Sequence, residues 1–123
     1  MKEEVKQAWV EALESGEYEQ GFGWLRQTVN GKTCHCALGV LGDLAVKAGL
    51  AEWLEGVPGT AFLRAGDSEE FCSLPDGLPD DWLPLEGDDA KVGGGVSVSG
   101  LNDNGTSFAQ IAALLRNTPA EDL

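Results

Sequence analysis

Apolar residues recur at three- and four-residue intervals over 2–15, where Val5, Ala8, Trp9, Ala12 and Leu13 make one stripe of an amphipathic α-helix. Glu3 and Glu4 favour the positive end of its dipole, and Gly16 supplies a stop. Phe22, Trp24, Arg26 and Val29 then lead into Asn30-Gly31, a pair suited to a type I′ turn. Two short antiparallel strands, about 23–29 and 32–35, are expected around it. A second helix, about 36–48, carries Ala37, Leu38, Val40, Leu41, Leu44, Ala45 and Ala48 around most of its circumference. A helix apolar nearly all round is buried on most sides, so it is read as central, with Gly49 closing it. Leu50–Leu54 is read as a short helical turn carrying Trp53.

From 55 to 95 the periodicity breaks. Pro58, Pro75, Pro79 and Pro84 divide short apolar pieces, and no element longer than six residues is expected. Leu78–Leu83 suits a single helical turn, and Phe62, Phe71, Trp82 and Leu85 are the expected pins of a loop-rich wrap. Val96-Ser97-Val98-Ser99 alternates as a half-buried strand, and 102–105 reads as a turn. Ser107 and Gln110 form a capping-box pair opening a last helix with Phe108, Ile111, Ala112 and Leu115 on one face.

Composition changes this picture less than charge does. The 42% hydrophobic content supports a core, 123 residues suit one domain, and 17 glycines imply many turns. The formal net charge is −13, which disfavours direct binding to nucleic acid or anionic membrane. Nine acids and no Lys or Arg fall between 65 and 90, while Arg26, Lys32 and Lys47 make the middle cationic. The charged start MKEEVKQAW lacks a secretory apolar region, and no run is long enough to span a membrane. Three cysteines without a signal suggest reduced thiols and a cytoplasmic setting.

No motif carries a catalytic signature. Cys34-His35-Cys36, with Cys72, suggests zinc, but adjacent side chains diverge and structural zinc sites pair ligands on turns. Small buried thiols at a strand-to-helix junction are the preferred reading, with no metal and no cofactor. A thiolate–imidazole pair is equally poorly placed, since such partners come from separate elements. Gly93-Gly94-Gly95 lacks the Lys-Ser/Thr of a phosphate loop, and neither acidic run has the spacing of a calcium loop.

Three segments resemble a family of small uncharacterised proteins encoded by bacteriophages and prophages. The first holds Trp9, Ala12, Leu13, Ser15, Gly16, Tyr18, Gln20, Gly21, Gly23, Leu25 and Arg26. The second holds Cys36, Leu38, Gly39, Val40, Leu41, Asp43 and Leu44. The third holds Leu101, Asn102, Asp103, Gly105, Ser107, Phe108, Ile111, Ala112, Leu114 and Leu115. Together they cover about half the chain. The family often shows paired cysteines where His35-Cys36 stands and a further one at Gly42, so the resemblance implies a source, here a bacterial host cytoplasm, rather than a chemistry.

The expected fold is α+β: one domain of three main helices packed on a small antiparallel sheet, with an acidic loop-rich insertion over about 55–95. The expected function is non-enzymatic. Asp76, Asp80, Asp81, Trp82, Glu86, Asp88 and Asp89 would form a nucleic-acid-mimicking surface that binds and inhibits a host protein with a basic surface, a defence factor (CRISPR-type, for example) or a replication factor. The alternatives are a binder of small anionic ligands through Arg26 and Lys32, and a structural or virion-associated protein.

Overall fold

The computed structural model describes residues 1–85 and 87–123. It is an α+β domain built around one hydrophobic core. Helix α1 (Glu3–Glu14) is followed by strands β1 (Glu19–Gln20), β2 (Arg26–Val29) and β3 (Lys32–His35), then helix α2 (Ala37–Lys47). Strands β4 (Glu52–Glu55), β5 (Ala61–Ala65) and β6 (Ser68–Glu70) come next, followed by a 3-10 turn at Asp80–Trp82. Strands β7 (Lys91–Val92) and β8 (Val96–Ser97), helices α3 (Val98–Asp103) and α4 (Phe108–Arg116), and a last 3-10 turn at Ala120–Asp122 complete the chain.

Asn30 and Gly31 both take positive φ, 51° and 78°, so the expected tight turn joins β2 to β3. In place of one antiparallel sheet, the described residues form three small ones, ordered β1-β3-β2, β4-β5-β6 and β7-β8. The first is mixed, because β1 runs parallel to β3. The Leu50–Leu54 turn is not helical. Gly49, at φ 78°, ends α2, and Glu52–Glu55 pairs antiparallel with Ala61–Ala65. Strand pairing of Trp53 and Leu54 with Leu63 and Phe62 overrides the local helical preference.

The face of α1 is also rotated from expectation. Val5, Lys6, Trp9, Val10 and Leu13 are buried, whereas Ala8 is exposed. Lys6 lays its aliphatic stem inward and donates from Nζ to the carbonyl of Arg116 at 3.4 Å, near the negative end of α4. Trp9 is fully buried, and its Nε1–H donates to the carbonyl of Ala37 at 2.9 Å. Helix α2 lies so close to the preceding chain that a Cβ at Gly39 would stand 1.7 Å from the carbonyl oxygen of Leu25.

The 55–95 region is integrated rather than inserted. Leu63, Ala65, Leu74 and Leu78 belong to the core, while Phe71 is 40% and Leu85 72% exposed. Of the expected pins, Trp82 packs against the core, whereas Phe62 and Phe71 fall on the outward face of the β4–β5–β6 sheet and Leu85 is exposed, so the aliphatic residues hold the rest of the stretch. Gly77 packs against β5, where a Cβ would lie 1.7 Å from the carbonyl oxygen of Ala65. Val96–Ser99 is strand for only two residues, since the Ser97 hydroxyl accepts from the N–H of Gly100 and starts α3. Asn102 and Asp103, read as part of a turn, lie inside that helix. The capping box of Ser107 and Gln110 is present, and Phe108, Ile111, Ala112 and Leu115 are buried together.

Candidate functional site

The acidic residues are gathered by backbone contacts between distant parts of the chain. The N–H of Lys2 donates to the carbonyl of Asp81 at 2.8 Å, setting the first turn of α1 beside the Asp80–Trp82 turn. The terminal ammonium donates to the carbonyl of Ala120 at 3.4 Å, and the N–H of Leu85 to that of Leu123 at 2.7 Å. Glu3, Glu4, Asp80, Asp81, Glu121 and Asp122, all exposed, thereby form an acidic pole in which Lys2 and the terminal ammonium are the cations. Exposed Leu85 stands in it, whereas Trp82 is half-buried and packed on the core.

The other expected contact residues divide. Asp76 is exposed but donates its N–H to Ser68 Oγ at 3.1 Å, which places it toward β6. Asp88 is exposed, while its carbonyl accepts from the N–H of Leu74. Asp89 is structural rather than a free contact: its half-buried carboxylate accepts from the N–H of Ala90, the N–H of Ser99 and the hydroxyl of Ser99. Glu86 lies outside the described residues.

A second polar centre escaped the sequence reading. Asp43 accepts from the Tyr18 hydroxyl at 2.7 Å and from Trp53 Nε1–H at 3.0 Å, and Lys47 donates to the Tyr18 oxygen at 3.1 Å. Burial opposes ionisation of Asp43, but these hydrogen bonds and the neighbouring His35 and Lys47 hold its carboxyl below the ordinary value. His35, 7% exposed, packs between the rings of Tyr18 and Trp53, at 5.1 and 5.9 Å. Neither ring nitrogen has a partner within the protein. Burial lowers its pKa to about 4, against a smaller opposing pull from Asp43. Tyr18 and Asp43 were visible as members of the resemblance pattern, which was the available signal.

That centre predicts a pH effect. The unfolded imidazole titrates near 6.5 and the folded one near 4, so between these values the unfolded chain binds more protons. The stability is fully present above pH 6.5 and is lost as the pH falls through 4. The loss amounts to about 2 kcal/mol once solvent screening is allowed for. In urea unfolding at pH 7 and pH 4, His35→Phe should show a smaller drop than the parent by that amount.

Cys34, His35 and Cys36 are not brought together. Cys34 is half-buried, and Cys36 caps α2 by accepting from the N–H of Gly39; burial pushes its thiol up to about 11. Cys72 is exposed. Among the described residues no three His, Cys, Asp or Glu side chains form a group that could hold a metal ion. Arg26 and Lys32 also separate. Arg26 stacks over Trp53 at 5.4 Å and lines an open recess of about 300 Å³ with Gln27, Thr28, Glu55, Gly59, Thr60 and Ala61; Lys32 is not in that wall.

The three resemblance segments meet at Asn102, which is fully buried. Its Oδ1 accepts from Gln20 Nε2 at 3.0 Å and from the N–H of Ala37 at 3.1 Å. Its Nδ2 donates to the carbonyl of Gly21 at 2.8 Å and to Asp103 at 3.3 Å. The recurrent polar residues of the pattern are thus largely a scaffold network.

Fold and surface together define a small α+β domain with one acidic pole, and no helix among the described residues is long and apolar enough to cross a membrane. The chain belongs to the family described as a domain of unknown function, DUF8296, whose model matches residues 1–119. No curated protein and no solved structure matches it at a significant level.

Proposed function

We propose that this protein is a non-catalytic binding module that presents its acidic pole to a basic partner protein. The observation that carries the reading is the convergence of Glu3, Glu4, Asp80, Asp81, Glu121 and Asp122 from three stretches of chain onto one end of the domain. Exposed carboxylates around a partly apolar centre favour fast encounter with a cationic surface, and a net charge of −13 disfavours nucleic acid itself. The resemblance to phage-encoded proteins supports a host nucleic-acid-binding protein as the partner class, blocked on the surface its own ligand would use. The burial of His35, the single histidine, between two rings supports the non-catalytic part, since its nitrogens do not face an incoming substrate.

The test is binding to basic nucleic-acid-binding nucleases and replication proteins across a salt series. Asp80→Lys with Asp81→Lys is expected to weaken binding by about tenfold or more, and raising the salt should do the same. Affinity indifferent to both would remove the reading. Asp89 is left intact in this design because of its hydrogen bonds to Ala90 and Ser99.

A second reading, a small-ligand site, is favoured by Arg26, whose guanidinium is held on Trp53 at the wall of the recess without an ion pair to any described residue. Glu55 in the same wall disfavours polyanions and selects for monocarboxylates. A carboxylate at a hundred times its Kd should stabilise the protein by about 2.7 kcal/mol in thermal unfolding, and Arg26→Gln should abolish the effect. No stabilisation by acetate, larger monocarboxylates or phosphate would count decisively against it.

A further inference from the structure

We propose that the recess beside Arg26 binds a free amino acid, the guanidinium taking its carboxylate and Glu55 its ammonium. The inference rests on the small-ligand reading of this recess and adds the positive charge that the ligand must carry.

Arg26 and Glu55 come from different sheets but meet on one surface. Trp53 and Glu55 stand two residues apart on β4, opposite the buried Leu63 and Ala61, so they share the face of that strand turned toward the core. Arg26, on β2, lays its guanidinium over the Trp53 ring at 5.4 Å, which brings it to the same face. Both line the recess of about 300 Å³. Neither makes an ion pair with the other or with any other described residue. Arg64, on the outward face of the same sheet, is by contrast neutralised by Glu52 and Glu69.

The walls are set before a ligand arrives. Trp53 donates its Nε1–H to Asp43 at 3.0 Å, and Asp43 is itself held by the Tyr18 hydroxyl, so the ring beneath the guanidinium is fixed from behind. Beyond Glu55 the chain closes a tight turn, in which the N–H and the hydroxyl of Thr60 both donate to the carbonyl of Val57, at 2.9 and 2.8 Å. Pro58 and Gly59, the latter at φ 87°, form its corner. The N–H of Thr28 donates to the carbonyl of Gly59 at 2.7 Å, and Gln27 bridges to Thr60, so the turn is tied to β2. Groups already ordered lose little conformational entropy on binding.

Charge selects the occupant. A monocarboxylate satisfies Arg26 but brings its charge up to Glu55, a phosphate does so more strongly, and a simple amine meets Arg26. A small molecule carrying both charges answers both walls, and each wall rejects the ligands that lack its counterpart. The volume, at the low end for ligand sites, suits a molecule of amino-acid size.

The test is an amide NMR titration of the full chain at fixed ionic strength with L-alanine, N-acetyl-L-alanine (carboxylate alone) and L-alaninamide (ammonium alone). L-Alanine should bind about tenfold more tightly than either, with shifts centred on Arg26, Thr28, Glu55 and Thr60. That comparison on the unmutated protein needs no variant to fold. Arg26→Gln should weaken L-alanine about tenfold. Glu55→Gln should do the same while leaving or raising the affinity for N-acetyl-L-alanine, whereas structural damage would weaken every ligand together. Equal affinity for L-alanine and N-acetyl-L-alanine, or a Glu55→Gln variant that keeps its preference for L-alanine, would overturn the proposal and leave a plain carboxylate site. Tighter binding of inorganic phosphate would also overturn it. The absence of shifts with all three ligands, or shifts located elsewhere, would remove the small-ligand reading along with it.

Discussion

Gly39→Ala should destabilise the protein by more than about 4 kcal/mol or prevent folding altogether, measured by chemical unfolding or as loss of soluble, helical protein. In an open helix the same change stabilises by roughly 1 kcal/mol, because Ala loses less backbone entropy than Gly. Here the new methyl would stand 1.7 Å from the Leu25 carbonyl oxygen and 2.6 Å from its carbon. Those are main-chain atoms of a fully buried residue whose N–H is bonded to Phe71, so neither α2 nor the approach to β2 can yield cheaply. Gly42→Ala offers the graded comparison. Its methyl would meet Leu63 Cδ2 at 2.7 Å, the end of a side chain that can rotate, and about 1–2 kcal/mol is expected. Gly93→Ala, with open space around it, should be neutral within about 0.5 kcal/mol.

Asn102→Ala should cost about 4 kcal/mol, without a matching effect from an exposed substitution such as Gln7→Ala. The loss exceeds that of an ordinary hydrogen bond because two of the abandoned partners, the N–H of Ala37 and the carbonyl of Gly21, are buried main-chain groups. Each then carries a desolvation penalty of about 1–3 kcal/mol. Hydrogen exchange should show the loosening at Gln20–Gly23 and at the first turn of α2, the segments this side chain joins to α3. Protection lost uniformly across the domain, or hardly at all, would contradict that assignment.

Much of the fold was legible because α2, α4 and the Asn30-Gly31 hairpin each carry periodicity and turn chemistry that agree. The β4–β5–β6 sheet was not. Glu52–Glu55 is an apolar pair between glutamates, and Ser68–Glu70 has no apolar residue at all, so neither strand announces itself without its partner. The rotation of α1 was hidden for a similar reason: a lysine fills a buried position by finding the carbonyl end of α4. As for the site, the acid-rich stretch was visible as composition, but its division was not. Asp89 became a cap, Asp76 turned toward β6, and Asp80 and Asp81 joined glutamates from α1 through a single backbone bond from Lys2. Charge counts carry no information on such juxtapositions, which depend on long-range packing.

The contact of Gly77 with the Ala65 carbonyl has an evolutionary consequence. It ties the acid-rich stretch to β5 through main-chain contact, with help from Leu74 and Leu78, rather than through Asp76, Asp80 or Asp81. The surface carboxylates on either side of it are therefore under little selection for folding, while the glycine is under a great deal. A lineage could exchange those charges for others and meet a different partner while keeping the same scaffold beneath.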